Sequence, residues 1–221
     1  RASIYNEDML FQEFGIDAEI MIDHAWGLEP CGMAEIKAYK PSTNSLSEGQ
    51  VLAEPYPYDK ARIIVAEMAD SLVFQLTDKN LVTDGLTLDV GYDRENCDKG
   101  SYRGPVHIDH YGRSVPKGAH GSTHLGNPSN LGSTIVTAAV ELFDQIANRS
   151  LTVRRITIAA NRVVQDEGVY QFDLFSDVEK QEKEKTLQKA LLGIKKKYGK
   201  NAILKGTNFL DGATMRERNK Q

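Results

Sequence analysis

Four of the five histidines of this 221-residue chain fall between residues 107 and 124, together with Asp109, and they are the first residues to test for chemistry. His107, Asp109, His110, His120 and His124 could be read as metal ligands. On an extended strand, however, the spacing between His120 and His124 covers about 13 Å of chain, too far for ligands to converge without a bend. The Gly, Pro and Lys residues around them suit a loop that approaches phosphate better than a zinc site. A second candidate is the acidic pair Asp166-Glu167 in "VVQDEGVY". Two-metal phosphoryl transfer needs carboxylates that hold two ions about 4 Å apart. No second acidic site or nucleotide-binding segment accompanies this pair, so it reads as a solvated turn before Gly168. The residues assign no catalytic group and no metal.

Two other constellations point to binding. Arg149, Arg154, Arg155 and Arg162 fall within a stretch that contains no acid, and Lys99, Arg103, Arg113 and Lys117 share theirs with Asp109 alone. Further on, "VYQFDLFSD" packs Phe172, Leu174 and Phe175 into a segment that otherwise reads as a connector. Such a pentapeptide is either a short core strand or a peptide that waits for a partner.

The elements that must position these groups follow from periodicity. Residues 1–30 read as two short helices broken by Gly15, with Trp26 as core packing. "IKAYKPSTNSLSEGQ" reads as a linker. "QVLAEP" is a short strand, and Asp59 can cap a helix that buries Ala61, Val65, Met68, Leu72 and Leu76. "GLTLDVGYD" alternates Leu86, Leu88 and Val90 against Thr87 and Asp89, as a half-buried strand does. A strand near "HGSTHL", a helix through Ile135, Ala139, Leu142 and Ile146, and the strand "TVRRITIAANRVV" complete a β-α-β-β-α-β order. That order describes an α+β domain with two helices on one face of a four-stranded, mainly antiparallel sheet. On the last strand Ile156 and Ile158 point to the helices, while Arg155, Thr157 and Asn161 point to an open, polar and partly basic face. A further helix runs from about Val178 to Tyr198 with Leu187, Leu191, Ile194 and Tyr198 on one side; Lys195, Lys196, Lys197 and Lys200 mark a solvated end.

Bulk properties set limits. Residues 1–36 hold 1 base and 8 acids, residues 37–165 hold 14 of each, and residues 166–221 hold 12 bases and 9 acids. The sequence pI of about 5.8 argues against a nucleic-acid binder that is basic all over, but not against one basic face. No apolar run approaches the roughly 18 residues of a membrane span. Cys31 and Cys97 are too far apart in sequence to suggest a disulfide framework, which suits a reducing cytoplasm. The chain opens on Arg1 and reads as a piece of a longer protein.

The residues resemble the C-terminal part of Y-family translesion DNA polymerases of the DinB and UmuC type. The matching segments are "FGIDAEIMIDHAWGLEP", "IKAYKPSTNSLSEGQVL", "YDKARIIVAEMADSLVFQL", "YGRSVPKGAHGSTHL", "VRRITIAANRVV" and "LQKALLGIKKKYGKNAILKG". The resemblance implies the end of a thumb domain at 1–36, a linker at 37–49, a little-finger domain at 50–166 that lies on DNA, and a C-terminal tail at 167–221. It implies that Ser45, Ser47, Arg113, Lys117, His120, Thr123, Arg154, Arg155 and Thr157 contact DNA. It also implies that Gln171, Phe172, Asp173, Leu174 and Phe175 form a peptide that docks on the replication sliding clamp. The catalytic palm of such a polymerase lies upstream of these segments, so this piece should add no nucleotides, and the Mg²⁺ of catalysis belongs to the parent. Damaged or primed duplex DNA and the clamp are the expected partners of a monomeric, cytoplasmic piece. The alternative is a protein-interaction adaptor of the same fold with no DNA role.

Overall fold

The computed structural model describes residues 7–15, 17–29, 31–39, 44–98, 102–109, 112–168 and 178–220. It forms two compact units, Arg1–Ser42 and Thr43–Gln221. The first holds α1 (Glu7–Phe14), α2 (Asp17–Ala25) and α3 (Met33–Ala38), with Gly15 at φ +59° turning the chain between α1 and α2. That φ suits glycine, which has no Cβ to clash. Ala18 is the one described residue of this unit that is buried, and Trp26 is 65% exposed. The expectation of a packed tryptophan fails because three short helices enclose too little volume to cover an indole.

The second unit runs β1 (Leu46–Tyr56), α4 (Tyr58–Asp78), β2 (Leu81–Tyr92), α5 (Glu95–Asp98), β3 (Val106–Ile108), β4 (Ser114–Pro116) and β5 (Ala119–Ser129). It continues with α6 (Gly132–Ile146), β6 (Val153–Asn161), β7 (Val164–Gln165), α7 (Val178–Tyr198), a 3-10 turn (Gly206–Phe209) and α8 (Met215–Arg218). The main strands lie in the order β1-β6-β2-β5 and every pairing is antiparallel, while β7 extends the start of β2. The expected α+β fold is present, with additions. β3 and β4 form a separate hairpin, and β1 starts at Leu46, so strand occupies the end of the expected linker. α3 occupies its beginning.

The core lies between the sheet and the two long helices. Ala61, Val65, Met68, Leu72 and Leu76 of α4 are fully buried against Leu86, Leu88, Ile156 and Ile158 of the sheet. Each such aliphatic side chain contributes about 1.5–3 kcal/mol by leaving water. α6 adds Ile135, Ala139, Leu142 and Phe143. Gly121 of β5 is where α6 comes closest: a Cβ there would sit 2.7 Å from Ile146 and 3.1 Å from Leu142. Asp59 does not cap α4; Pro57 holds that position, with no side-chain cap.

The C-terminal residues are not a separate tail. α7 supplies the missing cap of α6, whose N-cap residue Leu131 has no polar side chain. Gln188 Oε1 accepts from the Gly132 N–H at 2.7 Å, and Glu184 Oε1 accepts from the Ser133 N–H at 2.7 Å. These are donors that a helix start leaves without intrahelical partners, and a carboxylate there also meets the positive end of the helix dipole. Gln188 is buried while Leu187 is 59% and Tyr198 67% exposed, so of the expected stripe only Leu191 and Ile194 are half-buried. Beyond α7, Glu67 of α4 is 1% exposed and accepts from Asn208 Nδ2 (2.8 Å), the Thr214 N–H (2.8 Å) and the Met215 N–H (3.0 Å). Lys205 pairs with Asp70 at 2.6 Å, Arg218 with Glu48 at 2.5 Å, and Lys196 with Asp78. The C-terminal segment thus pairs with acids of α4 and β1, while Lys196, Lys197 and Lys200 at the end of α7 are exposed, as expected of a solvated helix end.

Candidate nucleic-acid interface

Strand register builds the open face in rows. Gly49, Thr157, Asp89 and His120 are cross-strand neighbours in one row, and Ser47, Ala159, Thr87 and Ser122 in the next. Val51, Arg155 and Gly91 form a third row toward one end. Asn161, Gly85 and His124 form a fourth toward the other. Side chains on this surface are small, which brings the sheet backbone close to whatever lies on it. Gly91 matters individually, because a Cβ there would press to 3.2 Å from the Cβ of Arg155.

Of the residues expected to meet DNA, Ser47, His120, Arg155 and Thr157 share this face. Ser45 is exposed just before β1, and Lys117 is exposed just before β5. Thr123 does not share it. It pairs with buried Leu86, on the side where Gly121 meets α6, and Ser122 takes its place on the open face. Arg154 is passed over in both ladders of β6: the β2 partners of Arg155 and Val153 are the consecutive Gly91 and Tyr92, while their β1 partners, Val51 and Tyr56, are separated by a register shift. This bulge turns its guanidinium to the strand end, where Nη1 donates to the Ala53 carbonyl at 3.0 Å and Nε lies 3.6 Å from Asp93. Arg113 forms an ion pair with Asp109 at 2.7 Å. Residues 171–175, the expected clamp peptide, lie outside the described residues, as does His110.

The face is polar, but it is less basic than the arginine-rich sequence suggests. Asp89 lies at its centre with His120 Nδ1 at 2.6 Å, and Asp84 near its end pairs with Arg162 at 2.7 Å and lies 3.6 Å from His124. Arg149 lies over the Tyr58 ring. Of the four arginines in the acid-free stretch, Arg155 alone has no charged or aromatic partner among the described residues. Beside it, a cavity of about 650 Å³ between the sheet end and the β3-β4 hairpin is lined by Gly91, Asp93, His107, Arg113, Arg154 and Arg155.

Carboxylates do not gather elsewhere. Asp166 Oδ1 accepts from the Gly168 N–H, and its other oxygen lies 3.8 Å from Lys185, so this side chain is tied to the turn and to α7 rather than solvated. Among the described residues no three His, Cys, Asp or Glu side chains come together as a metal site. The residues present therefore do not fit the two Mg²⁺ ions of a polymerase centre, and no catalytic step is assigned to them. Cys31 and Cys97 are free thiols. No helix among the described residues is long and apolar enough to cross a membrane.

An antiparallel four-stranded sheet with helices on one side and a polar, small-residue surface on the other is a little-finger-type α+β module. Residues 43–174 match the impB/mucB/samB family C-terminal domain. The chain belongs to that family, as the C-terminal part of a Y-family protein. It is 22% identical over 213 residues to UvrX of Bacillus subtilis (strain 168), a protein whose name assigns it to UV-damage repair. The aligned stretch covers 96% of this chain and 45% of UvrX, so the chain spans less than half the length of that relative. A solved complex of a β-clamp processivity factor with the little-finger domain of PolIV aligns with 60% of this chain and 100% of its own, at 10% identity and a TM-score of 0.37.

Proposed function

We propose that this chain is the DNA-binding and clamp-tethering part of a translesion polymerase that acts in damage tolerance in the bacterial cytoplasm. The duplex backbone lies along the open face of the sheet. One observation carries this reading: an open face rich in Gly, Ala, Ser and Thr, with the Asp89–His120 pair at its centre, that ends at Arg155, a guanidinium without an acidic partner among the described residues. Small hydroxyl side chains at Ser47, Thr87, Ser122 and Thr157 let phosphates approach and offer neutral donors. Arg155 and Lys117 supply charge, with Ser45 at the margin. Contacts of this kind position a protein without reading sequence, as copying of arbitrary damaged templates requires. Arg113 and Arg154 reach phosphate only by exchanging their present carboxylate partners. Gln171–Phe175 would bind the clamp as an extended peptide with Leu174 and Phe175 as apolar anchors, a reading that rests on the sequence pattern alone. Mg²⁺ and catalysis would belong to other parts of the parent protein.

A salt titration of duplex binding tests the DNA reading. The two cations without a carboxylate partner among the described residues, Arg155 and Lys117, and the two paired ones, Arg113 and Arg154, bracket the slope of log K against log salt between about -2 and -3.6, at roughly -0.9 for each phosphate neutralised. Arg155→Ala should flatten the slope by about one unit and weaken all duplex sequences alike. An adaptor would show no duplex binding, and an Arg155→Ala protein with unchanged slope would remove the face from consideration.

A further inference from the structure

Where α7 and the C-terminal segment cross α4, a second concavity of about 520 Å³ opens. This is within the usual range of small-ligand pockets. Phe74 of α4, Leu191 and Leu192 of α7, and Ile203, Leu204 and Met215 give it an apolar floor. All six are half-buried, so apolar surface remains open to a ligand. Lys195, Lys196, Lys200 and Lys205 line it as well. Lys205 and Lys196 are already neutralised by Asp70 and Asp78. Lys195 is different. Its ammonium sits half-buried 4.8 Å over the Phe74 ring and donates to the Lys200 carbonyl at 3.2 Å, with no carboxylate in ion-pair reach among the described residues. Burial pulls its pKa down, so the site holds a cation stripped of part of its water. Lys200 is exposed beside it and likewise has no acidic partner among the described residues.

We propose that this pocket docks a short acidic peptide of a partner protein, with one leucine- or phenylalanine-sized side chain on the apolar floor and its carboxylates on Lys195 and Lys200. Charge complementarity selects that occupant. A nucleic-acid strand would bring phosphates past Asp70 and Asp78 at the same rim, and the Phe74 face that could stack a base is covered by Lys195. A peptide needs two adjacent cations and one apolar seat, which is what the pocket provides. α4 supplies one wall of the pocket and residues 191–219, beyond the family-matched stretch 43–174, supply the other, and the site does not depend on the DNA reading.

The test is fluorescence anisotropy of the intact 221-residue chain with the labelled peptide Asp-Asp-Asp-Leu-Phe carrying a free C-terminal carboxylate. Saturable binding is expected. It should weaken about tenfold or more with Lys200→Glu, a change at an exposed position, and with Ser-Ser in place of Leu-Phe in the peptide. Leu204→Asp should abolish it, with thermal melts run alongside to show that the chain remains folded. Arg155→Ala should leave it unchanged, which separates this site from the open face. Absent saturation, equal binding by Lys200→Glu, equal binding of the Ser-Ser peptide, or displacement by an oligo-dT strand at lower concentration than by unlabelled peptide would each overturn the proposal.

Discussion

Replacing Glu67 by alanine should release the C-terminal segment while the sheet and its two long helices stay folded. The Glu67 carboxylate is buried and takes three short hydrogen bonds, from Asn208 Nδ2, the Thr214 N–H and the Met215 N–H, with Thr214 Oγ1 more distant at 3.4 Å. Hydrogen bonds to a charged acceptor contribute roughly 1.5–3 kcal/mol each, and water that enters the vacated space recovers part of that. A net loss of about 3–5 kcal/mol is the expected scale for removing one partner from a buried charged network. The ion pairs that remain, Lys205 with Asp70 and Arg218 with Glu48, are partly exposed and contribute about 0–1 kcal/mol each. The docked population should therefore fall by roughly two to four orders of magnitude. Hydrogen exchange read by mass spectrometry is the assay. Peptides covering residues 205–218 should lose protection, above all at the Thr214 and Met215 amides, while those from α4 and β6 keep theirs. Glu67→Gln should be intermediate, since its amide oxygen serves one side and its NH₂ opposes Asn208 Nδ2. Unchanged protection at Thr214 and Met215, or simultaneous loss across α4, would refute the picture of a separately releasable segment.

Gly121→Val should lower stability by about 1–3 kcal/mol in urea titrations, because its Cβ alone would sit 2.7 Å from Ile146 and 3.1 Å from Leu142 of α6, which must give way. Leu86→Ala should cost about 2–5 kcal/mol while leaving the salt slope of duplex binding intact, since this fully buried residue faces the helices. Asp144 accepts from Arg62 and Tyr58, and the Arg62 hydrogen bond holds its carboxyl below the usual carboxylate range. The unfolded chain thus binds this proton at higher pH than the folded one, so the stabilisation is complete above about pH 4 and disappears as pH falls through the lower folded value. Thermal melts in acid should show that loss in the parent chain and a shallower one in Asp144→Asn.

Most of the core was readable from sequence because its signal is local. The i, i+4, i+7 run of α4 and the alternation of Leu86, Leu88 and Val90 each report burial directly, and every one of those residues is buried. Thr123 lies three residues from His120, so alternation alone puts the two on opposite faces of β5, and the β2-β5 ladder is regular from Gly85 to Val90. That Arg154 leaves the open face follows from alternation with Arg155, but its partners, the Ala53 carbonyl and Asp93, do not, since a bulge suspends alternation where it occurs. The docking of the C-terminal segment escaped notice because it is made by Glu67, Glu184, Gln188, Lys196 and Lys205, residue types that are solvated far more often than buried. The net charge of the open face likewise depended on cross-strand partners: Asp84 lies 78 residues before Arg162 and Asp89 lies 31 before His120, the groups they meet.

The strand order has a consequence for how the domain is made. β6 is the last of the four main strands in sequence, yet it lies between β1 and β2, so Gln50 must await Ile156 about a hundred residues later. During synthesis β1 therefore has no neighbour, and β2 keeps one bare edge after β5 has paired with its other side. Bare edges of this kind recruit strands from other chains. Arrival of β6 covers both at once, and the loop it closes is long, which favours slow, all-or-none assembly over stepwise growth of the sheet. A nascent chain halted after α6 is thus the species most exposed to aggregation, and the nine residues Val153–Asn161 are what end that exposure.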